Sequence, residues 1–139
     1  AEYNEGKRIM KKIVLCLMAM LASFSHIAAQ AKADIKFDKT THDFGTMPVD
    51  TGAVACTFTF TNVGDAPLVI HQAWASCGCT VPEYTQEPVL PGKTGTINVT
   101  YKGNGLSGYF QKSITVYTNG KTDTVRLYVK GDLVRTKDK

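Results

Sequence analysis

From Ala53 onward the chain alternates apolar and polar residues with a period of two, and that alternation limits what it can fold into. Val54, Cys56, Phe58 and Phe60 interleave with Ala55, Thr57, Thr59 and Thr61. Successive side chains of an extended backbone point to opposite faces, so such a run buries one face and turns a threonine-rich face to water. Leu68, Ile70 and Trp74 continue the period across Ala66 to Ala75, which predicts Trp74 as a core aromatic beside Cys56, Phe58 and Phe60. Ile97, Val99 and Tyr101 repeat it. So do Phe110, Ile114 and Val116, with Lys112 interrupting the inner face, and Val125, Leu127 and Val129. A weaker strand pair is expected in Asp34 to Phe37 and His42 to Val49.

The connectors agree with this reading. Thr118-Asn119-Gly120-Lys121 joins two alternating runs, and Asn-Gly suits a tight hairpin because the turn needs positive φ. Asn62-Val63-Gly64-Asp65-Ala66-Pro67 reads as a second turn, and Pro91-Gly92-Lys93 leads into the Thr94 strand. No stretch after the leader holds a helical period. The expected fold is all-β: an immunoglobulin-like antiparallel β-sandwich of about seven strands over residues 34–134, with 135–139 as a solvated basic tail. Ser76 to Lys93 carries Pro82, Pro88 and Pro91 and reads as a long surface connection, with a short strand near Val81 to Tyr84.

A cleavable signal helix is expected ahead of the domain. Met10-Lys11-Lys12 precedes an apolar run from Ile13 to Phe24, and Ala28, Ala29 and Ala31 follow. That order, over residues 10–31, is the pattern of a secretory signal, with cleavage expected after Ala29 or Ala31. The run is shorter than the roughly 20 apolar residues a membrane span requires, so no integral span is expected after cleavage. Residues 1–9 are set aside as an upstream extension or added residues. Cys16 leaves with the signal. A cut after Ala31 removes Lys7, Arg8, Lys11 and Lys12 with Glu2 and Glu5, which lowers the formal charge from +4 to +2 and leaves 108 residues. That length suits one domain with a modest core. No basic cluster with interleaved aromatics accompanies it, so nucleic acid is not expected as a partner. The expected location is the periplasm or the cell exterior.

Location governs how thiols are read. After the leader come Cys56, Cys77 and Cys79, an odd number in an oxidising compartment. Cys56 alternates in phase with Phe58 and Phe60 and is expected in the core as a small hydrophobe. Cys77 and Cys79 remain for each other, with Gly78 supplying backbone freedom between them. Such a pair can staple a loop, exchange disulfides, or offer thiolates to a soft cation such as Cu(I). His71 is the nearest candidate for a third ligand, and neither it nor His42 shows zinc-finger spacing. Nucleophilic catalysis by a cysteine would need a base and an orienting group, and the sequence brings neither to Cys77. Ser76 and Thr80 suit the turn backbone. Tyr101, Tyr109, Tyr117 and Tyr128 either form an exposed aromatic surface or stack across strands. Tyr84, in the long connection, is a further candidate contact.

The order His42-Asp43-Phe44-Gly45, Phe58-Thr59-Phe60-Thr61-Asn62-Val63-Gly64, Pro67-Leu68-Val69-Ile70, Ser76-Cys77-Gly78-Cys79-Thr80 and Pro91-Gly92 resembles one exported bacterial family, the domain of unknown function 1573. The resemblance covers His42 to Asp132. It implies an exported β-sandwich carrying a Cys-Gly-Cys-Thr signature, with no established activity. The Asn-x-Gly-x-x-Pro-Leu turn is also similar to immunoglobulin-like domains of ciliary and centrosomal proteins, a likeness of fold alone. The expected role is a non-enzymatic module without cofactor, whose free sheet edges and Cys77-Gly78-Cys79-Thr80 loop meet a protein partner. The alternative is a thiol redox or copper-handling protein using Cys77 and Cys79, with His71 as a further ligand.

Overall fold

A computed structural model describes residues 2–22, 31–103 and 105–135. It divides into two compact units, Ala1–Gln30 and Ala31–Lys139. The described residues of the first form the helix α1 (Glu2–Ala22). It begins at Glu2 rather than at Met10, so the residues set aside as an extension continue the same helix. Among the described residues no helix is long and apolar enough to cross a membrane. A cut after Ala29 lies outside the described residues, as does the tail from 136 to 139.

The second unit is a β-sandwich. Its strands are β1 (Ile35–Phe37), β2 (Thr41–Pro48), β3 (Ala53–Asn62), β4 (Ile70–Ala75), β5 (Thr80–Tyr84), β6 (Thr94–Lys102), β7 (Gly108–Thr118) and β8 (Thr124–Val134). One sheet runs in the order β1-β3-β6-β5 and the other β2-β8-β7-β4. The described residues hold eight strands where about seven were expected, and one pairing is parallel rather than antiparallel. β2 pairs with β8 in parallel, Thr41 opposite Tyr128 and Pro48 opposite Val134. β1 and β2, expected as a pair, lie in different sheets. Each finds its partner far along the chain, and nothing local in the sequence encodes that choice.

The period-two faces meet in the middle. Phe58, Phe60, Ile97 and Val99 from the first sheet pack against Ile114, Val116, Leu127 and Val129 from the second, all fully buried. Cys56 is buried beside them as a free thiol, and desolvation pushes its pKa up, as for an inert core cysteine. Tyr101, Phe110 and Leu133 form a smaller cluster at one end.

One expectation about the aromatics is corrected, and one alternative is decided. Trp74 is not in the core. The register with β7 shifts between Ile70 and Gln72, a bulge that advances the strand by one residue. Ile70 points inward, Ala73 and Ala75 take the inner positions beyond the bulge, and Trp74 turns outward with 62% of its surface exposed. Tyr101 takes the inner position that its period with Ile97 and Val99 gives it. It is 3% exposed and stacks on Phe110 with ring centroids 3.9 Å apart. Tyr109, Tyr117 and Tyr128 do share the outer face of the second sheet, with Tyr128 half-buried.

The crossing from β3 to β4 is organised by Asn62, which is fully buried. Its side-chain oxygen accepts from Gly64 N–H at 2.9 Å, and its amide donates to the Ala66 and Val89 carbonyls at 2.7 and 2.9 Å. Gly64 has no room for a side chain, since a Cβ there would overlap the Lys32 carbonyl. Lys121 N–H donates to the Ala33 carbonyl, and Asp65 N–H to that of Lys32. Lys32 and Ala33 are therefore integral to the sandwich.

Candidate functional site

The crossing from β4 to β5 joins the outermost strands of the two sheets on the same side of the sandwich. It is only Ser76 to Cys79 long. Cys77 and Cys79 are joined by a disulfide, their Cα atoms 5.3 Å apart. Short as it is, the crossing is tied down at both ends. Ser76 N–H donates to the Ser113 carbonyl at 2.9 Å, and Ser113 N–H returns a bond to the Ser76 hydroxyl at 3.2 Å. Lys102 N–H donates to the Cys79 carbonyl at 2.8 Å. Thr80 is buried, with its hydroxyl 3.8 Å from the Cys77 sulfur and 3.7 Å from that of Cys79. Cys79 packs against Tyr101, Phe110 and Leu133, so one sulfur is seated on the small cluster. Gly78 is exposed, and the two cysteines are half-buried.

This geometry narrows the chemistry. A disulfide has no thiolate for a soft cation, so metal binding would first require reduction. His71 is exposed on β4, and the carbonyl of its own backbone accepts from the Tyr84 hydroxyl at 3.3 Å. Among the described residues no group of three or more His, Cys, Asp and Glu side chains gathers as a metal site would. His42 lies on β2, the opposite edge of its sheet, 3.0 Å from the Lys39 ammonium.

Beside the disulfide is a shallow recess of about 430 Å³, lined by Ala73–Gly78 and Thr80–Pro82. It lies between the edges of β4 and β5. From Ile70 to Pro82 the sequence holds no Asp, Glu, Lys or Arg. Trp74 stands exposed on one side, and Val81, 41% exposed, on the other.

The four edges of the two sheets differ in how they meet solvent. β1 is three residues long. β2 is bulged between Asp43 and Thr46, with Gly45 at φ 73°, and ends in Pro48. On β5 the Lys102–Cys79 bond fixes the pairing, so residues 79, 81 and 83 bond to β6 while 80, 82 and 84 face away. Pro82 therefore removes a donor from the free edge. Short length, bulges and proline are the usual means of keeping an edge from pairing.

β4 carries no such device beyond its bulge. The Ser76–Ser113 bond sets residues 72, 74 and 76 to pair with β7. The N–H and C=O groups of Ala73 and Ala75 then face outward over the recess. Sequence reasoning found the loop and missed this edge. The bulge that creates it changes the phase of the strand without changing its composition.

Fold and site together define an immunoglobulin-like β-sandwich with a disulfide-clamped crossing beside one open sheet edge. The model of the family described as "Protein of unknown function (DUF1573)" matches residues 35–133, and the chain belongs to that family. No curated protein matches the chain. A protein of unknown function from Porphyromonas gingivalis W83 is similar in structure, with TM-score 0.66 and 18% identity over 79% of this chain and 51% of that one. The chain thus spans about half the length of that protein. The PapD-like domain 7 of human CEP192 superposes with TM-score 0.56 at 10% identity, covering 76% of this chain and 89% of that one. The YadV chaperone does so with TM-score 0.54 at 16% identity, covering 76% and 55%. At these identities the likeness concerns fold.

Proposed function

We propose that the chain is an exported, non-enzymatic protein-binding module whose partner docks along the side of the sandwich between β4 and β5. The observation that carries this reading is the contrast among sheet edges: β1, β2 and β5 are short, bulged or proline-blocked, and the Ala73–Ala75 stretch of β4 is open. The clamped Cys77–Cys79 crossing holds that edge at a fixed distance from Val81 and Pro82. Export is supported by the Met10–Ala31 leader pattern and by the disulfide, which suits an oxidising compartment. The likeness to the YadV chaperone is compatible with a protein partner.

The test is site-specific photocrosslinking in the exporting cell. A photoreactive side chain at Val81 is expected to give a discrete protein adduct. One at Thr57, exposed on the outer face of the other sheet, is expected to give none. Equal labelling from both positions would overturn the reading. Disulfide reductase turnover by the purified chain, or stoichiometric Cu(I) uptake lost on Cys77→Ser with Cys79→Ser, would also overturn it in favour of thiol or metal chemistry.

A further inference from the structure

We infer that the partner at the β4 edge is a second copy of this chain, paired antiparallel about a two-fold axis through Trp74. This rests on the protein-binding reading above and names its partner. The argument begins with the backbone. The outward groups of the open stretch belong to Ala73 and Ala75, one on each side of Trp74. Under a two-fold at Trp74, Ala73 of one copy lies opposite Ala75 of the other. Each such pair exchanges two N–H···O bonds, and the two pairs satisfy all four outward donors and acceptors on each copy's Ala73 and Ala75. Gln72 then meets Ser76, both uncharged and polar.

The side chains follow from the same register. Ala73 and Ala75 point toward the recess and are small enough to let the strands approach. Trp74 points to the outer face and lies opposite its own mate. Its backbone groups are already bonded to β7, so the two tryptophans occupy a non-hydrogen-bonded pair. In such a pair side chains come closest, with Cα atoms about 4.5 Å apart, and aromatic pairs across strands are favourable there. An isolated, mostly exposed tryptophan on an edge strand thereby gains a partner. The uncharged run from Ile70 to Pro82 brings no like charges together across the axis. The Pro82-blocked β5 edges meet without competing for backbone bonds. The contact uses one patch on both copies, which closes as a dimer and does not propagate. The product is one continuous sheet of eight strands, four from each copy's β2-β8-β7-β4 sheet.

The experiment uses the full chain purified after export. Sedimentation velocity over the micromolar range is expected to show a monomer–dimer equilibrium, with dissociation raised at least tenfold by Trp74→Ala. Ala75→Pro, which deletes an outward donor on an edge that already lacks a neighbour, is expected to give monomer with unchanged circular dichroism. The decisive variant is Trp74→Cys, because only this two-fold places residue 74 beside itself within disulfide reach. Mild oxidation is expected to yield a covalent dimer. Tyr117→Cys, one strand inward on the same face, is expected to stay monomeric. A chain monomeric throughout the range, or equal crosslinking by the two cysteine variants, would overturn the dimer. A Val81 photo-adduct containing a different protein, with the purified chain monomeric, would sink this inference and leave the protein-binding reading standing.

Discussion

Two successive passages of the chain between its sheets, from β3 to β4 and from β4 to β5, are built on opposite principles. From β3 to β4 it turns around Asn62, a buried amide that holds the backbone of Gly64, Ala66 and Val89 at once. From β4 to β5 it crosses through Ser76–Cys79, where a covalent bond stands among half-exposed residues. A buried polar group keeps its place only if all its hydrogen bonds are made, and then it specifies one backbone path strongly. A disulfide across so short a loop restrains little of the unfolded chain, since its entropic effect grows with loop length. The first passage is thus architecture. The second holds a small surface in shape while leaving it open to a partner.

The largest expected effect breaks the first passage. Asn62→Ala strands the Gly64 N–H and the Ala66 and Val89 carbonyls. Each buried group left unsatisfied costs about 1–3 kcal/mol, so the variant is expected to lose several kcal/mol and much of its folded population at 37 °C. Urea unfolding followed by far-UV circular dichroism measures this. A loss below about 1 kcal/mol would show that Asn62 does not organise the turn.

The matching change in the second passage is milder. Cys77→Ser with Cys79→Ser is expected to cost about 1–2 kcal/mol by the loop-entropy relation, with the sandwich retained. Alkylation before and after reduction, read by peptide mass, is expected to place the wild-type bond between Cys77 and Cys79 and to find Cys56 free. A bond to Cys56 would undo the contrast, because the loop would then be pinned to the core.

Much of the sandwich was legible in the sequence, because period-two alternation acts locally and survives in every inner strand from β3 to β8. The Cys77-Gly78-Cys79-Thr80 loop was legible as well, since thiols and turn residues announce themselves. What was not legible depends on partners far along the chain. The parallel β2–β8 pairing has no local signal. The bulge after Ile70 shifts the phase of β4 by one residue, and a one-residue slip moves every later side chain to the other face. That slip took Trp74 from expected core to exposed surface and turned Ala73 and Ala75 inward. Asn62 was visible as a turn residue, but its burial depends on Val89, which approaches only when the sheets close.

The corrected position of Trp74 makes a smaller prediction that sharpens the comparison. Trp74→Ala is expected to change the stability of the monomer by no more than about 0.5 kcal/mol, as for a surface site. Phe60→Ala, in the core, is expected to cost about 3–5 kcal/mol. Chemical denaturation at sub-micromolar concentration, where association is absent, separates the two. A core-sized loss at Trp74 would return that residue to the interior and close the open edge.

The smallest expected effect belongs to the architectural side, where Asp34 ties the start of the sandwich to the β7–β8 hairpin. Its carboxylate accepts from the Thr122 N–H at 3.1 Å and the Ile35 N–H at 3.0 Å. Hydrogen bonding from Thr122, through hydroxyl and backbone, holds its pKa below the ordinary carboxylate value, with Ile35 N–H and the Lys121 charge adding to this. A carboxyl whose folded pKa is depressed stabilises the fold above its unfolded pKa of about 4. That contribution disappears as pH falls through the lower folded value. The difference in stability between wild type and Asp34→Ala should therefore be constant from pH 7 to about 5 and shrink steadily below pH 4. Urea midpoints measured across that range read it directly. The Cys77→Ser, Cys79→Ser variant keeps Asp34 and its partners, so it should track wild type in parallel at every pH. If its offset also closed in acid, the clamped crossing would be coupled to a titrating carboxylate, and the division between the two passages would fail.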